Sequence, residues 1–161
     1  IRNCLFICDL LIAIIYKMAL VQDLHLVLSS DSATSTGNAH TFTQALAEEV
    51  SLNPNNTYEV CLVDFECPTS DPYTNKQLFV TADICTMTDV NGMYERFVGK
   101  SNQTLPTLLE SSQVFVTKPT KMWVKLFKTT FSQVAITIKD SSGLSIPSVG
   151  RSSVTLSIRQ V

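Results

Sequence analysis

In the last third of the chain, apolar residues occupy every second position of three short segments, residues 122–127, 134–140 and 153–159. In the middle segment, Val134, Ile136 and Ile138 fall on one side of an extended chain and polar residues on the other. A Ser-Ser-Gly turn and a loop that contains proline separate the last two segments. Period-two alternation between short turns predicts half-buried β-strands, and here a β-sandwich.

The pattern is weaker near the beginning of this domain. Residues 24–28 alternate and predict a first strand, with His25 on the polar face as a surface or interface residue. Residues 29–38 are polar and predict a loop. Residues 42–50 are ambiguous, because Ala and Glu favour a helix while Thr and Phe at the start favour a strand. Residues 52–56 contain Asn-Pro-Asn-Asn and predict a turn.

The clearest strand covers residues 58–67, and Pro68 ends it by removing a backbone donor. Both faces are largely apolar, which predicts a central strand that is covered on both sides. Strict alternation gives two sets of apolar side chains, Val60 and Leu62 on one face, and Cys61, Val63 and Phe65 on the other.

Further along, residues 78–84 and 114–116 also predict strands. Between them, residues 86–112 lose the alternation and predict a long loop with one strand or short helix, of a kind that often serves function or an interface. The total is about eight strands, which suits a sandwich of jelly-roll or another topology. The Cys…Trp…Cys framework of immunoglobulin domains is absent, since no cysteine follows Trp123.

The chain has five cysteines, and their spacing supports neither a zinc site nor a complete disulfide framework. No close Cys-x-x-Cys pair occurs, and neither of the two histidines lies near a cysteine in the sequence. An odd number of cysteines within apolar strands favours buried thiols and a reducing folding compartment. The residues are Cys4, Cys8, Cys61, Cys67 and Cys85.

No motif for nucleophilic, metal or phosphate chemistry occurs in the sequence. Asp64 and Glu66 point the same way from one strand, and we interpret them as an exposed strand end rather than an acid–base pair or a Ca²⁺ site. We therefore predict no catalytic residues, no cofactor-binding residues, no metal ligands and no enzymatic activity.

Charge is low and scattered, with a formal net charge of −2. The densest basic group comprises Lys118, Lys121, Lys125 and Lys128, whose mixed spacing predicts a solvated strand face and no specific nucleic-acid site. Asn55 and Asn102 match the glycosylation acceptor pattern, which is common by chance.

Residues 1–17 form an apolar extension that differs from the rest. Three interpretations stay open: Met18 is the true initiator and the extension is not native, the extension is a signal or anchor, or it is a docking arm. It is shorter than the ~20 apolar residues of a comfortable membrane span, and Asp9 interrupts it. The folded domain is then residues 18–161, for which we expect no membrane contact.

Residues 26–68 resemble the opening of the penton-like minor capsid proteins of Polinton/Maverick elements and their adintovirus relatives. The resemblance rests on the first strand, an Asn-containing loop, a segment led by Phe42, and the strand from Tyr58 to Pro68. Tyr58 stands where the family has Trp, and Asp64 where it has Glu. Residues 78–84 are similar to a further strand of the family.

The end of the chain also resembles this family. A strand is followed by a turn from Asp140 to Gly143, then by Pro147, Gly150 and a final strand that ends at Arg159. The order and spacing of these pieces match the family, whereas residues 86–112 depart from it and residues 1–17 lie outside it.

The resemblance implies an all-β single jelly-roll β-sandwich of about eight antiparallel strands. It further implies a structural virion protein, a minor capsid (penton) subunit that forms homopentamers at capsid vertices. The implied partners are further copies of the chain and a double-jelly-roll major capsid protein, in a virion assembled inside the host cell.

Two other functions remain as alternatives. A carbohydrate- or receptor-binding β-sandwich module is motivated by Tyr94, Arg96 and Phe97 in the long loop. A secreted adhesion domain is motivated by the apolar extension and the two glycosylation patterns.

Overall fold

A computed structural model of the chain describes residues 23–38, 40–68, 77–90, 92–100, 114–117, 119, 121–144 and 150–161. These residues form twelve β-strands and no helix. The strands are β1 (Leu24–Ser29), β2 (Ser35–Asn38), β3 (Thr41–Ser51), β4 (Tyr58–Pro68), β5 (Leu78–Ala82), β6 (Thr88–Val90), β7 (Met93–Glu95), β8 (Phe97–Lys100), β9 (Val114–Thr117), β10 (Val124–Lys125), β11 (Thr130–Asp140) and β12 (Ser153–Gln160).

The strands form two antiparallel sheets and a separate hairpin. The first sheet has the order β1-β12-β4, with β9 and β10 both paired to the far side of β4. The second sheet has the order β2-β3-β11-β5-β8, and β6 pairs only with β7.

This strand order distinguishes the jelly roll from other sandwiches. When β1, β3, β4, β5, β8, the interrupted pair β9–β10, β11 and β12 are lettered B to I, the sheets read B-I-D-G and C-H-E-F. That interleaving is the jelly-roll arrangement of two Greek keys. The expected fold class, a single jelly-roll β-sandwich of about eight antiparallel strands, is confirmed.

The core lies between the two sheets and is built by alternate residues. β1 and β12 pair through six successive positions without a break, so Leu26 and Leu28 face inward beside Leu156 and Val154. In β11, Val134, Ile136 and Ile138 are fully buried, as their spacing predicts. Because each sheet is apolar on its inward face, each covers the other.

A β-bulge in β4 changes one part of the expected pattern. Thr155 of β12 pairs with Asp64 and the next residue pairs with Leu62, so Val63 is an extra residue in β4. The insertion reverses the alternation beyond it. Phe65 therefore lies in the main core with Leu62, and the expectation that Phe65 shares a face with Cys61 is wrong.

Other corrections concern segments with weak alternation. Residues 42–50 belong to strand β3 and not to a helix, because this strand pairs with β11 and buries Phe42. The expected loop 29–38 contains β2, and the expected loop 86–112 contains β6, β7 and β8. Of the expected strand 122–127, only β10 is a strand, followed by an isolated bridge between Leu126 and Cys85.

The expectation for residues 1–17 falls outside the described residues. Within the described part of the chain, no helix has the length and apolar character needed to cross a membrane.

Two fully buried apolar positions on facing sheets test the core. We expect Val60→Asp and Ile136→Asp each to prevent folding, since an unpaired carboxylate would enter the core of a domain whose total stability is typically about 5–15 kcal/mol. The measurement is soluble yield and cooperative thermal unfolding by circular dichroism. Val161→Asp is the matched control at an exposed valine and should unfold like the parent. A soluble, cooperatively folding Val60→Asp protein would contradict the assigned face.

Gly99 tests how closely the two sheets approach. A Cβ atom at this position would lie 2.7 Å from Cβ of Leu62 and 2.8 Å from its Cδ2, closer than carbon atoms pack. We expect Gly99→Ala to lower the free energy of unfolding by about 1–3 kcal/mol through overpacking, measured by urea denaturation. The control is Gly92→Asn, where added atoms meet open space and Asn tolerates the positive φ of 78°. Equal stability of Gly99→Ala and the parent would refute this packing.

Candidate interaction surfaces

The acidic pair on β4 lies on one face of the strand. Asp64 and Glu66 share the outer face of the first sheet, as their spacing predicts. The Oδ1 atom of Asp64 is buried without a hydrogen-bond partner. Across the described residues, no three His, Cys, Asp or Glu side chains lie close enough together to hold a metal ion. The predicted absence of catalytic, cofactor and metal residues stays a prediction.

The three cysteines of the domain are buried free thiols. Burial raises the pKa of Cys67 to about 12. Burial, and to a smaller extent the nearby Asp83 carboxylate, raise the pKa of Cys85 to about 12. Burial also raises the pKa of Cys61. A thiolate is the reactive form of cysteine, so these residues lack the character of a nucleophile.

The basic residues around β10 do not form one patch. Lys128 forms an ion pair with Asp83 beside the second sheet. Lys125 is exposed and pairs in register with Glu59 in the first sheet. Lys118 lies outside the described residues. Acidic residues therefore lie beside two of the four lysines, and the expected solvated face without a nucleic-acid site stays a prediction.

The outer face of the first sheet carries a stacked cation. The Cζ atom of Arg159 lies 3.8 Å from the centroid of the Trp123 ring. Its guanidinium also donates to Oε2 of Glu59 at 2.8 and 3.2 Å. Beside this stack, Cys61 and Ser157 pair across β4 and β12 and are both buried. A rigid, half-buried Arg–Trp stack is a surface suited to contact rather than to chemistry.

β1 forms an open edge of the first sheet. Ser30 N–H donates to the carbonyl of Ser152, so the backbone groups of even-numbered residues face β12. The groups of Ser29 face the other way: its N–H donates to Oε1 of Gln44 at 2.6 Å, and its carbonyl accepts from Ser35. By the same alternation, the N–H and C=O groups of its odd-numbered neighbours on β1 point away from β12.

His25 and Val27 are therefore the positions at which this edge is open. No described strand pairs with β1 on that side. Both side chains are exposed, and Val27 retains 67% of its accessible surface. The prediction that His25 is a surface residue is confirmed. An uncharged strand with free backbone donors and acceptors is a template for another strand.

The β6–β7 hairpin lies against the outer face of the second sheet. Nζ of Lys139 on β11 lies 2.6 and 2.7 Å from the two carboxylate oxygens of Glu95 on β7. Both side chains are partly buried. A cavity of about 300 Å³ separates the hairpin from the sheet, and Thr81, Thr137 and Met87 are among the residues that line it.

A polar junction fixes the base of this hairpin. Asp83 accepts hydrogen bonds from the Ala135 amide, at 2.8 Å, and from Lys128. Arg96 donates to the carbonyls of Asp83 and Cys85, at 3.2 and 2.7 Å. The two ends of the connection between β5 and β8 are thus tied to each other and to β11.

An exposed apolar surface covers this junction, and we call it the hairpin patch. The guanidinium of Arg96 lies 4.7 Å from the centroid of the Phe127 ring, which is 61% exposed. Tyr94 of β7 is 67% exposed, since Glu95 beside it faces the sheet. Tyr, Phe, Met and Arg are the side chains enriched at protein interfaces. The hairpin patch comprises Met87, Tyr94, Arg96 and Phe127.

Only part of this patch could be predicted from the sequence. Tyr94 and Arg96 belong to it, but Phe97 is buried edge-to-face against Phe79, with ring centroids 5.6 Å apart. The expected grouping of Tyr94, Arg96 and Phe97 as a carbohydrate platform is therefore wrong. Phe127 was missed, although its place next to the inward-facing Leu126 puts an apolar residue on an outward position.

The strand order defines a single jelly-roll domain. Among solved structures, the chain is similar to the mavirus penton protein, with a TM-score of 0.59, 5% identity, and coverage of 87% of this chain and 100% of that chain. At this identity the similarity is one of fold. It agrees with the fold that the resemblance to penton-like proteins implied.

Two further similarities are much weaker. A mutant VP2 protein of infectious bursal disease virus matches with a TM-score of 0.31 and 10% identity, over 83% of this chain and 31% of that one. A mud crab tombus-like virus structure matches with a TM-score of 0.19 and 10% identity, over 88% and 82%. No protein-family model and no curated protein matches the sequence.

Thiol accessibility tests the burial of the cysteines. We expect Cys61, Cys67 and Cys85 to resist alkylation by iodoacetamide at pH 8 in the native protein, because buried thiols with raised pKa values supply almost no thiolate. Peptide mapping by mass spectrometry reports each site separately. In guanidinium chloride all three should be alkylated, which is the control for reagent activity. Rapid native labelling of Cys67 or Cys85 would show that the core is open there.

Proposed function

We propose that this chain is a structural protein of a virion, a penton-type minor capsid subunit that forms pentamers at the vertices of a capsid. The observation that carries the proposal is the B-I-D-G and C-H-E-F jelly roll, which covers the whole of the mavirus penton protein. The independent sequence resemblance in the strand at Tyr58 and in the closing strand at Arg159 supports the same function.

The partners follow from the same proposal. The chain binds further copies of itself and a double-jelly-roll major capsid protein, and its location is the capsid, which assembles inside the host cell. The proposed role is architectural and not enzymatic, in keeping with the buried, weakly acidic thiols and with a fold similar to that of the mavirus penton protein. Residues 18–161 are the proposed folded unit.

The oligomeric state of the purified full-length chain tests this function. We expect sedimentation velocity to give a discrete species of five copies, and negative-stain electron microscopy to show fivefold rings. A dilution series separates a specific ring from general association, because a closed ring gives one species whose amount, and not size, changes with concentration.

The control adds the major capsid protein from the same genome. A chain that stays monomeric both alone and in this mixture, and that does not co-sediment with capsid assemblies, would contradict the proposal. A glycan array is the matched experiment for the alternative of a carbohydrate-binding module. Saturable glycan binding by a monomeric chain would favour that alternative.

A further inference from the structure

We propose that neighbouring copies of this chain contact each other head to tail, with the open edge of β1 on one copy against the hairpin patch of the next. This inference rests on the proposed ring and adds the two surfaces that form it. The occupant of the β1 edge is therefore a second copy of the chain.

The β1 edge presents backbone groups that point away from the first sheet. His25 and Val27 direct two N–H and two C=O groups outward, and no described residue binds them. The edge carries no lysine, proline or bulge, and its six pairs with β12 are in unbroken register. Natural sheets protect such edges against unwanted pairing by those devices. An uninterrupted, unprotected edge is consistent with one that is covered in the assembly.

The other edges of the described sheets differ from β1. β2 and β9 have four residues each, and β10 has two. β8 is bulged at Val98 and ends in the exposed Lys100. The edge at β1 is therefore the longest and flattest of the outer strands that the structure describes.

The β6–β7 hairpin also presents strand edges. β6 and β7 pair only with each other in the described part of the chain, so each has a free outer edge. A two-stranded hairpin alone is marginally stable in water, and the Glu95–Lys139 ion pair joins this hairpin to the sandwich, together with the polar junction at its base. The patch thus combines free strand edges with exposed Tyr94 and Phe127, whereas β1 offers a free strand edge with exposed Val27.

The placement of the two surfaces follows from the strand order. β1 is the outermost strand on one side of the first sheet, and Ser35 of β2 binds it, so β1 and β2 mark the same side of the sandwich. Phe127 follows β10, and Arg96 precedes β8, which are the outermost strands on the opposite side. Three strand spacings of about 4.8 Å separate β1 from β10. The two surfaces therefore lie at different places on the sandwich: β1 at the edge of the first sheet, and the hairpin on the outer face of the second sheet.

This placement is what a ring requires. In a cyclic assembly of more than two copies, each subunit offers two different surfaces that meet head to tail. An interface built from identical surfaces would stop at a dimer. The open β1 edge and the hairpin patch are two such non-identical surfaces, with the exposed aliphatic Val27 on one and the exposed aromatic Tyr94 and Phe127 on the other.

Cross-linking between the two surfaces tests the proposal. In the full-length chain with Cys4→Ser and Cys8→Ser, we combine Val27→Cys with Tyr94→Cys and add a bifunctional maleimide. The three remaining cysteines are buried. We expect covalent multimers up to the closed ring on denaturing gels. The matched control combines Val27→Cys with Leu144→Cys, because Leu144 is 61% exposed and belongs to neither surface. Each single variant is a second control.

The outcomes separate this inference from the proposed function, because sedimentation of the same samples reports the ring directly. If a ring forms without Val27–Tyr94 cross-links, or if the Leu144→Cys control gives equal products, the assignment of the two contact surfaces is wrong. The proposed capsid function is not affected by that result. Products from Val27→Cys alone mean that β1 edges meet each other, which also overturns the inference. A chain that neither cross-links nor forms rings contradicts both proposals.

A backbone variant tests the role of strand pairing. Val27→Pro removes an outward N–H group without removing a hydrogen bond to β12, and proline is tolerated at such edge positions. The control Val27→Thr keeps the N–H group and the branched shape. We expect the protein concentration for half-assembly to rise on the order of tenfold in the proline variant relative to the threonine variant. Equal assembly, with equal thermal unfolding of the monomer, would rule out pairing at this edge.

Discussion

Burial of two facing sheet surfaces against each other is the constraint on which this domain depends. Each sheet carries its buried apolar residues on its inward face and cannot cover that face alone, so the inward faces of β4 and β11 are stable only together. The contact is close: Gly99 on β8 leaves no room for a Cβ atom beside Leu62 on β4. The position of every loop and edge follows from this one packed layer, because the strands that build it fix the points at which the chain leaves the sandwich.

At the edges of this packed layer, polar side chains form hydrogen bonds with backbone groups. On the β1–β2 side, Gln44 and Ser35 satisfy the backbone of Ser29 where the sheets meet. At the end of β11, the buried Asp140 accepts from the amides of Ser142 and Leu144 and fixes the turn. These bonds each contribute about 0.5–3 kcal/mol in net stability, the larger values where the acceptor is a carboxylate, and leaving such buried groups unpaired would cost a comparable amount. They specify the geometry more than they drive folding.

The same packing explains how much of the fold could be predicted from the sequence. Alternation was decisive wherever a strand pair keeps its register, as in β12 and most of β11, because each residue then has a fixed face. It failed at Phe65, where the bulge at Val63 shifts the face by one residue, an event decided by pairing with β12 and not by local preference. It also failed in β3, whose Ala and Glu residues favour a helix until pairing with β11 overrides them.

The candidate surfaces were less predictable for a related reason. The hairpin patch includes the contact of Arg96 with Phe127, which are distant in sequence and meet only because β8 and β10 lie on the same side of the sandwich. The open edge of β1 depends on the absence of a neighbouring strand among the described residues, which is a property of the sheet order and not of residues 24–29. Since a jelly roll necessarily ends each sheet at two strands, its unprotected edges are where assembly can complete the hydrogen bonding that the single chain leaves unfinished. The interface that we propose is thus a continuation of the fold rather than a separate device added to it.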